Sequence, residues 1–500
     1  MARVIARHVL LGTFICAPFL GVIDDAQGQP TLSDPRIERV IEGELWEARA
    51  VDANAIDIDV MHGIATLSGT VDNILSKERA IRIAQMTRGV MSVVDRMTVR
   101  ESDRSDAAVE VDLQRAFITD PATDSWEIGS TVENGAVTLT GTVQSAPEKR
   151  LAERVAKSVT GVRSVDNLIS IDHEATRADA ELKVEIDERL AWDVRLDDGL
   201  LTVEVNDGQV TLDGSVGSDF ERNLAHALAW VPGVMGVDVS GVEVEWWLRD
   251  EMQRTTAWAD LADDDIRSAI ERALLMDPRV SSFNVETEVE SGAATLTGVV
   301  DNLKAKRTAA QVASNTVGVL RVRNYLKVRP IAVQIDDDVA ADAEAALARD
   351  PLVTSGDISV VVAAGEAMLY GTVGSAFERA HVEDVVARIE GVTEVRNFLN
   401  VPYEGPSYTY RYEDWDPLLY DYDFDYGTFS AKTDREIEED IESELFWSPY
   451  VDADEVEVSV ENGVATLNGA VDDWNEWRKA AENAREGGAD SVRNNLGLGH

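Results

Sequence analysis

One short pattern constrains this chain more than anything else in it. It is an alternating strand closed at both ends by glycine, and it occurs six times. The copies are Gly63-Ile64-Ala65-Thr66-Leu67-Ser68-Gly69, Gly135-Ala136-Val137-Thr138-Leu139-Thr140-Gly141 and Gly208-Gln209-Val210-Thr211-Leu212-Asp213-Gly214. They continue with Gly292-Ala293-Ala294-Thr295-Leu296-Thr297-Gly298, Gly365-Glu366-Ala367-Met368-Leu369-Tyr370-Gly371 and Gly463-Val464-Ala465-Thr466-Leu467-Asn468-Gly469. Six copies in register exclude one large continuous fold. They point to an array of a small supersecondary unit whose neighbours support one another.

The flanks of the pattern define the unit. Before each copy lies a stretch with apolar residues at helical spacing, as in Ile37, Ile41, Leu45 or Ile266, Ile270, Leu274. Asp34, Ser105 and Asp434 stand where such helices begin and read as N-caps. After each copy comes a second helical stretch, such as Leu151, Val155, Val159. It stops near Gly89, Gly161, Gly233, Gly318, Gly391 or Gly488, as helices commonly do. A closing strand follows, as in Val322, Asn324, Leu326, Val328. The turns Glu133-Asn134-Gly135 and Asn206-Asp207-Gly208 supply the positive φ that a tight hairpin needs. The expected class is therefore α+β: a tandem repeat of small αββαβ modules. Each is a three-stranded mixed sheet with two helices on one face, the second helix allowing a crossover to a parallel strand. Glycine inside a strand marks a bulge or a close backbone approach. The second glycine of each pattern is expected where a helix packs tightly on the sheet.

These residues resemble the BON domain (bacterial OsmY and nodulation), through the Gly-x-x-x-Leu-x-Gly strand, the later Gly-Val and the closing Val-x-Asn-x-Leu. The resemblance covers residues 34–100, 105–172, 178–245, 262–330, 336–403 and 433–500, here modules one to six. Module three departs at its end, with Val237, Val239 and Gly241 in place of Val-x-Asn-x-Leu. In module six an alanine-rich second helix (Ala480, Ala481, Ala484) suggests looser packing. The resemblance implies a periplasmic role at phospholipid surfaces or envelope assemblies and protection in osmotic stress.

Three segments lie outside the repeat. Residues 1–28 have the layout of a secretory signal: Arg3 and Arg7, an apolar run from Val9 to Ile23, then Ala26-Gln27-Gly28. The run is short for a membrane span and contains Pro18, and no later stretch is apolar enough to span. The expected location is periplasmic. Cys16 is the only cysteine and leaves with the signal, so no disulfide forms in the mature chain. Residues 246–261 carry Trp246, Trp247 and Trp258, suited to a junction between modules, a membrane interface or a partner anchor. Residues 404–432 form an acidic, Tyr-rich linker. The two linkers divide the array into groups of three, two and one.

Charge narrows the choice of partner. The chain has 93 acidic against 46 basic residues, a formal net charge of −47. Nucleic acid is repelled, and so is a bare anionic membrane unless a local basic patch, a divalent cation or salt intervenes. Module four carries the most basic stretches: Lys304, Lys306 and Arg307, then Arg321, Arg323, Lys327 and Arg329. Lys304, Lys306 and Arg307, with the three tryptophans, are the candidate lipid or partner contacts; a solvated face balancing nearby acids is the other reading. The six histidines are scattered without metal-ligand spacing. Asp421, Asp423 and Asp425 open like a calcium loop but lack its glycine and distal Glu. No catalytic constellation, metal site or cofactor motif stands out. The sequence points to a non-enzymatic envelope-associated protein, or to a protein-binding scaffold or chaperone-like spacer.

Overall fold

The computed structural model describes residues 32–48, 50–123, 127–172, 177–250, 261–280, 284–330, 334–354, 356–401, 433–448, 450–461, 463–471, 474–489 and 491–498. The candidate signal, Trp258 and the Tyr-rich linker lie outside them. Each of the six modules is helix, hairpin, helix, strand. The first helices are α1 (Asp34–Glu47), α3 (Asp106–Thr119), α5 (Asp179–Ala191), α7 (Asp263–Leu275), α9 (Asp336–Arg349) and α11 (Asp434–Trp447). The second helices are α2 (Ile74–Met86), α4 (Ala146–Lys157), α6 (Asp219–Leu228), α8 (Leu303–Ser314), α10 (Ala376–Ala387) and α12 (Trp474–Glu486). In every module the glycine-flanked strand is central, antiparallel to the strand before it and parallel to the strand after α2 or its counterpart. This is the expected mixed sheet.

The repeated residues explain the geometry. His62, Asn134, Asp207, Ser291 and Ala364 have φ between 50° and 54°, and the glycine after each has φ of 71° to 77°. Two consecutive positive φ values make the tight, right-twisted hairpin turn. Asp34, Asp106, Asp179, Asp263 and Asp336 clamp these turns, each carboxylate accepting both turn N–H groups at 2.8–3.1 Å. Asp434 accepts from Gly463 N in the same way. Asp34 and Asp434 are thus not the N-caps expected from the sequence; Ser33 and Thr433 hold those positions, and only Ser105 is a cap as expected. The first helical residue instead ties its helix to a turn 28 or 29 residues away.

The turn N–H groups of Gly292 and Ser291 hold the Asp263 carboxyl below its ordinary value. A depressed folded-state pKa contributes stability that is present above the unfolded value, about 4, and lost as pH falls through the folded one. Asp263→Asn is therefore expected to lower the urea midpoint at pH 7. The gap between variant and parent should narrow as pH falls below about 4. A gap that is constant from pH 7 to pH 2 would remove the charge from the clamp.

The central-strand glycine has a different cause from the expected one. Gly69, Gly141, Gly214, Gly298, Gly371 and Gly469 have φ of 115° to 134°. A Cβ there would stand 2.0–2.4 Å from a carbonyl oxygen at the start of the module's first strand: Ala55, Glu127, Leu200, Asn284, Asp357 and Glu455. The neighbouring strand's backbone, not a helix, excludes the side chain. The helix contact is set eleven and fifteen residues later, by Ala80 and Ala84, Ala152 and Ala156, Ala225 and Ala229, Ala309 and Ala313, and Ala480 and Ala484. All are fully buried in their module's core, where module five has Val382 and Val386. The alanines of module six are therefore the common device for close helix–sheet approach, not a sign of loose packing. The asparagine of the closing motif ties the third strand to the second helix. Asn167, Asn324, Asn397 and Asn494 donate to carbonyls of Lys149, Lys306, Arg379 and Trp477 at 2.6–2.9 Å. Module three lacks this residue, and its third strand, Gly236–Val244, carries a register shift between Asp238 and Gly241.

The modules do not fall into groups of three, two and one. Helix α2 packs on α6, α3 on α9, and α8 on α10, joining modules one to three, two to five and four to five. Thr160 N and Oγ1 both donate to Arg349 O, at 2.7 and 2.8 Å. Val194 N donates to Asn315 O and Val317 N to Trp192 O, joining modules three and four. Leu352 and Phe377 of module five enter the core of module one. Module six docks through Phe446 and Trp447, whose rings lie 5.2 and 5.1 Å from the Arg36 guanidinium; Arg88 sits 4.4 Å from Phe446. The physical reason is a second buried face on the second helices. Arg79, Glu221, Lys304, Gln311, Glu378, His381, Asp384 and Lys479 all lie on them and are all buried. A charged face that is buried must be paired. Lys304 and Asp384 pair across modules four and five, and Arg79 lies over Phe377 of module five, while Glu221, Glu378, His381 and Lys479 bond within their own modules.

Candidate functional site: a basic strand on module four

The cations singled out in the sequence separate in space. Lys304 is buried, and its Nζ donates to Asp384 Oδ1 of module five at 2.6 Å. Burial pulls its ammonium well below the ordinary value, against the opposing pull of Asp384. Arg307 is half-buried and pairs with Glu383 at 2.6 Å, and Lys306 is half-buried beside them. This first cluster holds modules four and five together and does not form an outward-facing patch.

The second cluster does the opposite. The third strand of module four runs through Arg321–Asn324 and Lys327–Val328, at the edge of its sheet. Side chains alternate across a strand. Arg321, Arg323, Tyr325, Lys327 and Arg329 are all exposed, while Val322, Asn324, Leu326 and Val328 are buried or half-buried. None of the four cations forms an ion pair among the described residues. On the same face the central strand shows Thr295 and Thr297, and beyond it the first strand shows Glu286, Glu288 and Glu290. Arg323 pairs in register with Thr295, and Thr295 with Glu288, so the acids of the first strand lie two strands from it, about 10 Å; only at the far end does an acid come nearer, where Arg329 N donates to Val300 O beside Asp301. A neutral strip thus separates the basic edge from the acidic one.

No other module presents this face. The same positions are Ser164, Asp166, Leu168, Ser170 and Asp172 in module two, and Ser491, Arg493, Asn495 and Gly497 in module six. In module five Arg396 is neutralised by Glu366, and Phe398 stacks on Tyr370 at 5.3 Å. A sequence signal for module four existed: from Asn302 to Ile335 there is not one Asp or Glu. Residue counts find that run, but only the strand period separates its outward half from its buried half.

Trp246 and Trp247 lie half-buried in a short helical turn, Trp246–Asp250, with rings 6.0 Å apart. The Arg88 guanidinium of module one lies 5.0 Å from the Trp246 ring, a junction contact. A cleft of about 630 Å³ between modules three and four is walled by Val184, Trp192, Leu275 and Val312. Its charged rim is matched in pairs, Arg177 with Glu185 and Arg272 with Glu188, and it gathers no nucleophile–base set. Among the described residues no group of His, Cys, Asp or Glu has the arrangement of a metal site. No described helix is long and apolar enough to cross a membrane.

The BON domain model matches residues 33–101, 105–172, 178–245, 262–330, 335–403 and 433–499. The chain belongs to the BON domain family. Osmotically-inducible protein Y of Escherichia coli (strain K12) is 28% identical to this BON protein over 143 residues, covering 27% of this chain and 71% of that one. Two solved structures of CdsD, a structural protein of the Type III secretion system of Chlamydia trachomatis, are each 17% identical to it. They cover 41% and 43% of this chain and 90% and 100% of theirs, with a TM-score of 0.12. At that score the likeness supports no structural argument.

Proposed function

We propose that this BON protein is a non-enzymatic periplasmic protein that touches the anionic phospholipid surface of the envelope through the basic third strand of module four. The observation that carries this reading is the run of four exposed cations around Tyr325, without ion pairs among the described residues, on a molecule of net charge −47. The relative named for osmotic induction supports a role in osmotic or envelope stress. Each cation near an anionic surface contributes about 1 kcal/mol, so four give about 4 kcal/mol, a millimolar contact. Tyr325 at the interface adds to it. Such a contact is weak and reversible.

The opposing charge makes the salt dependence diagnostic. At about 0.01 M salt the screening length is about 30 Å and the whole acidic body is felt; at 0.15 M it is about 8 Å and the near cations dominate. At 1 M, about 3 Å, they too are screened. Flotation of the mature protein with phosphatidylglycerol-containing vesicles is expected to peak at intermediate salt. It should be absent with purely zwitterionic vesicles. The quadruple variant Arg321→Glu, Arg323→Glu, Lys327→Glu, Arg329→Glu should not float. Equal flotation of parent and variant would overturn the site. No flotation at any salt would overturn the function and leave a protein partner, for which the exposed Tyr370–Phe398 stack is the favoured anchor.

A further inference from the structure

The cleft of about 630 Å³ between modules three and four has the size of a small-molecule site, typically about 300–1,000 Å³. Its apolar lining is Ala180 and Val184 of α5, Ala269, Ala273 and Leu275 of α7, and Val312 of α8. Backbone bonds hold the two modules around it, Val194 N donating to Asn315 O at 2.9 Å and Val317 N to Trp192 O at 3.0 Å. We propose that this cleft binds one uncharged amphiphile, a single apolar chain with a hydroxyl head.

Three observations give the chemistry of the guest. The first is apolar exposure. Val184 and Leu275, on facing modules, are 58% and 56% exposed, and apolar surface is covered favourably by an apolar chain. The second is charge. Four arginines around the cleft already have carboxylates: Arg177 pairs with Glu185 at 2.6 Å, Arg195 with Asp193 at 2.7 Å and Arg272 with Glu188 at 3.5 Å. Arg279 gives Nε and Nη2 to Asp277, the Nε bond being 2.8 Å. A charged guest would enter without a counter-charge, which is costly away from water, and a neutral guest would not. The third is a pair of unused polar atoms on lining residues. Arg279 Nη1, a donor, and Glu185 Oε1, an acceptor, are buried with no hydrogen-bond partner among the described residues. They belong to one end of the cleft. Burial lowers the Arg189 guanidinium there, and Glu185 and Asp277, the partner of Arg279, both oppose that shift. A hydroxyl both donates and accepts, whereas a carboxylate head would face Glu185 and an ammonium head would face Arg279.

None of these residues belongs to the basic strand, so this site and the surface contact stand or fall separately. The test is titration calorimetry of the mature protein with 1-decanol. One saturable site per chain is expected, with the negative heat-capacity change of apolar burial. Across 1-octanol, 1-decanol and 1-dodecanol each added methylene should tighten binding by up to about fourfold. Decanoate and decyltrimethylammonium should bind at least about tenfold more weakly than 1-decanol. Val184→Gln with Leu275→Gln changes two exposed side chains and should weaken 1-decanol about tenfold. Should that variant not fold, Ala273→Met, which occupies part of the cleft, replaces it and should weaken 1-decanol likewise. The absence of a saturable site, or parental affinity in the folded variant, overturns the proposal and leaves the cleft to water or to a protein partner. Decanoate bound as tightly as 1-decanol overturns the uncharged guest.

Discussion

Gly298→Val is expected to unfold module four and to cost about 4 kcal/mol or more, the range kept for backbone strain and core clashes. Gly298 has φ of 115°, a conformation that L side chains rarely adopt, and a Cβ would stand 2.0 Å from the Asn284 carbonyl oxygen. That atom belongs to the backbone entering the paired strand, so no rotamer change relieves the contact. Urea denaturation should show a lower midpoint. Hydrogen exchange should be fastest in the hairpin of residues 285–300, while modules one and three keep their protection. A wild-type midpoint would mean that the first strand moves aside at little cost.

Lys304→Glu is expected to be nearly as severe, about 3–5 kcal/mol, for an electrostatic reason. The new carboxylate would face Asp384, whose side chain is 1% exposed, in a hub with little water to screen the pair. Lys304→Met should be much milder. It removes one donor from Asp384, but Arg388 still holds that carboxylate through its Nε, at 3.0 Å, and through Nη2. The two variants divide stability from function. Denaturant midpoints should order as parent, Lys304→Met, Lys304→Glu, while folded Lys304→Met floats with anionic vesicles as the parent does. Equal midpoints for all three would place Lys304 outside the hub. Loss of flotation in a folded Lys304→Met would restore it as a surface contact.

The module itself was legible from residue order. The turn pairs, the alternating strand and the glycines past the second helices are local requirements of φ and side-chain period, and each recurs six times. What misled was the assignment of a cause. A glycine inside a strand says that something approaches closely, not what does; here it is the Asn284 or Ala55 carbonyl rather than a helix. An Asp at a helix start says that N–H groups need an acceptor, not which ones. Asp34 serves a hairpin turn 28 residues on. Charge clusters were legible as clusters but not as surfaces. Lys304 and Arg323 belong to one acid-free run, yet one is buried against Asp384 and the other exposed.

The sequence by itself determined a repeated αββαβ unit, because glycine placement, apolar period and turn chemistry act within about seventy residues and leave one consistent local answer. Only the tertiary structure decided how the units pack on one another, much of it through their second helices. Those helices are amphipathic on two sides, and the second side is polar. A polar face looks solvated in a sequence, until residues from a distant module, such as Asp384 for Lys304 or Glu78 for Lys157, arrive to neutralise it.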